Sequence, residues 1–164
     1  MDKFTIIIDT RETLPFKFKE IPVITKKLDT GDYSVNGFEA CIAIERKSGL
    51  DFLGSITHDR ERFKSCLSRL QDLERAYIII EEPLDSLLEG IEIKRGHKSK
   101  AGIRPKVKSV VGMHPNSLFG TVVSIMTRYR IPIIFANNRK EAERFTLEIL
   151  KKYYSLKRTN EFKL

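Results

Sequence analysis

The sequence has no tryptophan, two cysteines and three histidines in 164 residues. Cys41 and Cys66 form no CxxC pair and the histidines show no metal-ligand spacing, so a structural zinc site and a disulfide framework are both excluded. No apolar run approaches the length of a membrane span. The start, Met1-Asp2-Lys3-Phe4, lacks the basic region and apolar stretch of a secretory signal, so a reducing, cytoplasmic setting is expected. There is no repeat, low-complexity tract or Pro/Gly-rich linker to split the chain. One domain is therefore expected over residues 1–154, followed by a basic tail over 155–164.

One further absence is local. From Lys94 to Lys140 there are eleven Lys/Arg and no Asp or Glu, whereas the other 117 residues carry 19 basic and 22 acidic side chains. The net charge of +8 thus originates entirely in one stretch of 47 residues. Such asymmetry points to a polyanion, most commonly nucleic acid. A solvated loop that serves only solubility is the plain alternative. Seven of the cations, Lys94, Arg95, Lys98, Lys100, Arg104, Lys106 and Lys108, fall in a Gly- and Pro-punctuated segment that reads as an exposed, mobile loop.

What is present is a mixture of strand and helix patterns. Phe4–Ile8 reads as a buried strand and residues 10–28 as mostly loop. Tyr33–Val35 and Phe38–Arg46 read as two paired strands. Arg60–Leu73 places Phe63, Cys66, Leu67, Leu70 and Leu73 on one helical face. Tyr77–Ile80 and Ile131–Phe135 are short apolar strands. Helices are expected from Pro115, with Leu118, Val122, Ile125, Met126 and Tyr129 inward, and from Asn138, with Ala142, Phe145, Ile149 and Tyr153 inward. This pattern predicts an α/β fold, a mixed central sheet flanked by helices.

The chemistry lies in Gly31-Asp32-Tyr33 and Ile44-Glu45-Arg46-Lys47. Alternation along a strand projects Glu45 and Lys47 together and Arg46 the other way. An acid beside a lysine, met by Asp32 from the neighbouring strand, suits a hard divalent cation such as Mg²⁺, which takes one or two carboxylates plus water and substrate phosphate. The ion can neutralise a phosphoryl oxygen and activate water, while a nearby lysine orients that water. Acid and lysine two apart on a strand also recur as an ordinary solvated face. The spacing constrains the turn. A two-residue turn at Asn36-Gly37 would set Asp32 opposite Cys41, about 13 Å short of Glu45 at about 3.3 Å per residue. The turn is therefore predicted to centre near Phe38-Glu39, with a longer loop.

The longer pattern resembles the XPF-type nuclease domain. It comprises Ile7-Ile8-Asp9-Thr10-Arg11-Glu12, Gly31-Asp32-Tyr33, Glu45-Arg46-Lys47-Ser48-Gly49-Leu50-Asp51, Gly54-Ser55-Ile56 and Arg60 in order. Met113–Phe119, Arg130–Ile133 and Ala142-Glu143 extend the resemblance over most of the chain. It implies a restriction-endonuclease-like fold and Mg²⁺- or Mn²⁺-dependent cleavage of DNA phosphodiesters, with flaps, forks or other branched forms as candidate substrates. Asp32 and Glu45 would be the central metal ligands, with the Arg46 carbonyl beside them. Asp9 and Glu12 would complete the acidic cluster, and Lys47 would orient the water. Arg11 and Arg46 would contact phosphate or lock the acids, and Asp51 and Arg60 would support them. Relatives usually continue into a helix-hairpin-helix module that this sequence does not show, so a stand-alone form is expected. The 94–108 cations would then take over part of its DNA contact. A homodimer is among the assemblies the resemblance implies. A non-catalytic nucleic-acid-binding subunit and a basic RNA-binding protein are the competing classes. The first usually loses acids that stand here, and the second leaves the acidic cluster unexplained.

Overall fold

The computed structural model describes residues 3–95, 98, 99, 102, 103 and 107–159, with side chains described outside 93–110. The elements run β1 (Ile6–Ile8), β2 (Val23–Thr25), β3 (Tyr33–Val35), β4 (Ile42–Lys47), α1 (Gly49–Thr57), α2 (Arg60–Gln71), β5 (Arg75–Ile80), α3 (Leu84–Glu89), β6 (Ile91–Arg95), β7 (Lys98–Ser99), β8 (Gly102–Ile103), β9 (Val107–Val111), α4 (Pro115–Tyr129), β10 (Ile133–Phe135) and α5 (Arg139–Thr159). Six strands make one sheet in the order β10-β5-β4-β3-β1-β2. Strands β10, β5 and β4 are mutually parallel, β3 is antiparallel to both β4 and β1, and β2 is parallel to β1. This is the expected mixed sheet.

Alternation sorts the side chains of the sheet onto two cores. Ala43, Ile78 and Ile80 pack with Phe52 and Ile56 of α1, Phe63 and Leu67 of α2, and Leu118 and Val122 of α4. Ile42, Ile44 and Ile79 face the other way, to Ala142, Leu150 and Tyr153 of α5 and to Phe16 and Phe18 of the β1–β2 connection. Helices on both faces explain why the central strands read as continuous apolar runs.

The β3–β4 connection has the predicted register. Tyr33 pairs with Ile44, so the turn centres between Phe38 and Glu39. Asn36-Gly37 does form a turn, with the Phe38 N–H donating to the Val35 carbonyl at 2.9 Å. It is not the tight type I′ hairpin: only Gly37 has positive φ (85°), and a second turn from Phe38 to Cys41 follows it.

Several expectations need correction. The 10–28 segment contains the edge strand β2, whose three residues are all exposed and so show no burial pattern. Helices α1 and α3 were not anticipated. α1 is announced by Ser48, whose hydroxyl accepts from the Asp51 N–H three residues on. The basic segment is not simply a loop. β6 and β9 pair antiparallel from Ile91↔Val111 to Arg95↔Val107, and β7 pairs with β8. The alternation Ile91, Ile93 against Val107, Val111 carries a period-2 signal that the surrounding lysines mask. Helix α5 continues unbroken across the expected 154/155 boundary to Thr159. Its buried stripe is Ala142, Thr146, Leu150 and Tyr153, while Phe145 lies exposed on the flank. Thr146 is tolerated inside because its hydroxyl donates to the Ala142 carbonyl. Met126 of α4 is likewise exposed rather than inward.

Candidate active site

The candidate site forms at the carboxyl ends of β4 and β5, where open α/β sheets place their ligand crevices. Continuing the Tyr33↔Ile44 register by one residue sets Asp32 opposite Glu45. The backbone turns away at Gly31, which has φ +79° and whose added Cβ would meet the Ala43 Cβ at 2.8 Å. Only glycine fits there. With the backbone diverted, the Asp32 carboxylate itself accepts the Arg46 N–H at 2.7 Å. Glu45 and Lys47 share one face of β4, as alternation requires, and their side chains pair at 3.1 Å with both about 14% exposed. The Lys47 ammonium also lies 5.0 Å from the Phe63 ring centroid.

These groups open into a cleft of about 460 Å³ whose walls include Arg11, Asp32, Glu45, Lys47 and Asp51. Burial, then repulsion from Glu45, pushes the Asp32 carboxyl up to about 7. Two carboxylates held together against that repulsion form a donor set a divalent cation would relieve. Two is also the number Mg²⁺ takes when waters and phosphate complete its shell. Among the described residues no group of three or more His, Cys, Asp or Glu converges on one point.

The other two expected ligands, Asp9 and Glu12, are each engaged by protein donors. Asp9 is 1% exposed and accepts from Arg11 Nε at 2.6 Å, from the Arg11 N–H at 2.8 Å and from the Leu28 N–H at 2.6 Å. Burial pushes its carboxyl up, but the bonds from Arg11 and Leu28 outweigh that and hold it below the usual range. Its geometry pins the end of β1 to the 26–28 segment. Glu12 lies on the opposite face with Arg46 at 3.3 Å, and its Oε1 accepts the Leu14 N–H. Asp9 has two donors on each oxygen, Glu12 has Leu14 and a longer contact to Arg46, and neither lines the cleft.

The Arg46 side chain also lies outside the lining of the cleft. Its guanidinium makes a bidentate pair with Glu81, at 2.7 and 3.0 Å, and lies over the Phe16 ring. Burial lowers its pKa and the Glu81 bonds raise it, with a net rise. Glu81 also accepts from Arg139 at 2.8 Å. The chain Glu12–Arg46–Glu81–Arg139 therefore ties the loop after β1 to the ends of β4 and β5 and the start of α5. Glu81 and Arg139 were not anticipated from the sequence. The usable signal was a carboxylate directly after the apolar run Ile78–Ile80, at the crevice end of a parallel strand.

Arg11 reaches the cleft, although it is anchored to Asp9. Asp51 also lines it, with its Oδ2 accepting from the Ser48 hydroxyl at 2.6 Å in a capping pair. Arg60 is not at this centre: it lines a separate groove between α2 and α4. Lys94, Arg95, Lys98 and Lys108 sit on β6, β7 and β9 without described side chains, and Lys100, Arg104 and Lys106 lie outside the described residues.

Comparison with known proteins agrees with this architecture. A family model described as the ERCC4 domain matches residues 8–149. The chain is 29% identical over 149 residues to a putative ATP-dependent RNA helicase of Methanocaldococcus jannaschii, a match covering 90% of this chain and 15% of that protein. Its structure is similar to XPF from Aeropyrum pernix, with TM-score 0.64 and 21% identity over 91% of this chain and 61% of that one. The same protein in complex with DNA gives TM-score 0.64 and 19% identity, over 93% and 66%. The chain thus spans a small part of the helicase and under two thirds of the XPF chains. Among the described residues no helix is long and apolar enough to cross a membrane.

Proposed function

The chain belongs to the ERCC4-domain family, and from that premise we propose that it is a divalent-metal-dependent endonuclease hydrolysing DNA phosphodiesters, with branched forms such as flaps and forks as its substrates. The observation that carries this reading is the meeting of Asp32 and Glu45 across β3 and β4, with Lys47 beside Glu45. Asp32 and Glu45 would hold Mg²⁺ or Mn²⁺, with the Arg46 carbonyl beside them. When bound, the ion supplies charge neutralisation at the phosphoryl oxygen and acidifies the attacking water.

The chain's own residues do the rest. Lys47 turns its ammonium into the cleft, where it orients the water and stabilises charge developing on the phosphoryl group. The Arg46 N–H fixes the Asp32 carboxylate. The Arg46–Glu81 pair holds the strand from the opposite face, so that Glu45 and Lys47 keep their direction. DNA is supported as the partner by the basic stretch and by the family.

The test is a cleavage assay on flap, splayed-arm and linear DNA with Mg²⁺ or Mn²⁺, comparing the protein with Asp32→Asn. Metal-dependent cutting that falls by at least about 100-fold in the variant is expected. Binding without cutting in every metal would instead make the chain a non-catalytic DNA-binding subunit.

A further inference from the structure

One wall of the cleft is the stripe of α2 that carries Arg62, Cys66 and Arg69. These positions are spaced i, i+4 and i+7, which helical geometry stacks along one line. Both arginines are exposed. Among the described residues neither takes part in an ion pair or a side-chain hydrogen bond. The other cations around the centre are already engaged: Arg11 by Asp9, Lys47 by Glu45, and Arg46 by Glu81 and Glu12. The remaining carboxylates of the cleft, Asp29, Asp51 and Asp59, form no ion pair with either arginine. Cys66 between them adds no charge, because burial and then the neighbouring Glu45 push its thiol up to about 12.

Two unneutralised guanidinium forks, seven residues apart on one helix, thus stand beside an acidic centre. Seven residues of helix separate them by about 10 Å. That distance is too long for both forks to grip one phosphate and suits neighbouring or next-neighbouring phosphates of one strand. Guanidinium groups match phosphate geometry and carry no preference for base.

We propose that Arg62 and Arg69 form a phosphate track that holds the substrate strand on the α2 side of the cleavage centre, each arginine on a different backbone phosphate. The proposal deepens the endonuclease reading and rests on it for the position of cleavage. In this arrangement the two arginines are positioning residues: they set where the strand lies relative to Asp32 and Glu45.

The experiment uses Arg62→Ala, Arg69→Ala and the double variant, with a single-stranded-arm DNA as probe. Binding is measured across a salt series in the Asp32→Asn background. Each arginine is expected to lower the salt slope by about 0.7. In the active background each alanine should raise KM about fivefold and change kcat by less than about twofold, with Lys at either position restoring most of the loss. Neutral methylphosphonate linkages, scanned along the strand, should weaken the parent protein at two positions about one or two nucleotides apart, and each alanine should abolish sensitivity at one of them. An unchanged salt slope together with an unchanged methylphosphonate profile would overturn the track. If the parent cuts nothing in any metal while the slopes still fall, the track stands and the endonuclease reading fails.

Discussion

Asp32 is held between two requirements that its neighbours set. On the proposed function it must lie close enough to Glu45 to share a cation, and it must survive without one. Its carboxyl, raised to about 7 by burial and then by Glu45, keeps its proton in the fold well above the pH at which the unfolded chain releases it. Between about pH 4 and pH 7 the folded state therefore binds more protons than the unfolded state, and stability falls as pH rises through that window. In chelator, Asp32→Asn should remove this fall. Melting curves at pH 5 and pH 8 should show the variant gaining about 2–4 °C on the parent at the higher pH only, for each kcal/mol recovered. Added Mg²⁺ should stabilise the parent more at pH 8 than at pH 6, because ligands bind metal deprotonated. Lys47 presents the complementary case. Replacing it with Ala should lower kcat about 100-fold, read in single-turnover cleavage, while affinity for uncut DNA stays within about threefold.

Two elements place these residues, and each has a weak point that can be tested. Gly31 lets β3 turn away so that a carboxylate, rather than a backbone carbonyl, meets the Arg46 N–H. Gly31→Ala must adopt φ +79° and press against Ala43. The cost is about 2–4 kcal/mol, visible as a drop of about 10 °C in melting temperature. The second weak point is Glu81, about 10% exposed and paired with the equally buried Arg46. Glu81→Ala leaves that guanidinium with Glu12 alone and should cost about 3 kcal/mol in urea unfolding, while Arg139→Ala, whose side chain is 41% exposed, should cost under about 1 kcal/mol. These elements also show what could be read in advance. The β3–β4 register followed from chemistry, since Asp32 and Glu45 serve one site only if the turn centres near Phe38. Helix α1 announced itself only through its Ser48 cap, and β2 lacks an inward face, so periodicity could not find it. The resemblance assigned Asp9 and Glu12 to the acidic cluster around Asp32 and Glu45. Arg11 reaches Asp9 from two residues away, but Leu28 and Arg46 come from distant sequence, so those bonds could not be read in advance.

At the scale of the molecule the charge is divided as the composition indicates, with the carboxylates of the cleft outside the carboxylate-free stretch from Lys94 to Lys140. Neutralising four of the cations between 94 and 108 should reduce the slope of DNA affinity against salt by about 3–4 for duplex. Fluorescence anisotropy in a salt series measures this, and an unchanged slope would return the segment to a solubility role. The sequence by itself determined the mixed sheet with helices on both sides, the family, and the trio Asp32, Glu45 and Lys47. Each of these depends on local alternation or on an ordered motif. Only the tertiary structure decided which donors reach each acid, because those donors come from separate elements. Arg11 and Leu28 take Asp9, Arg46 takes Glu12, and Asp32 and Glu45 are left to share a cleft with the unpaired Arg62 and Arg69.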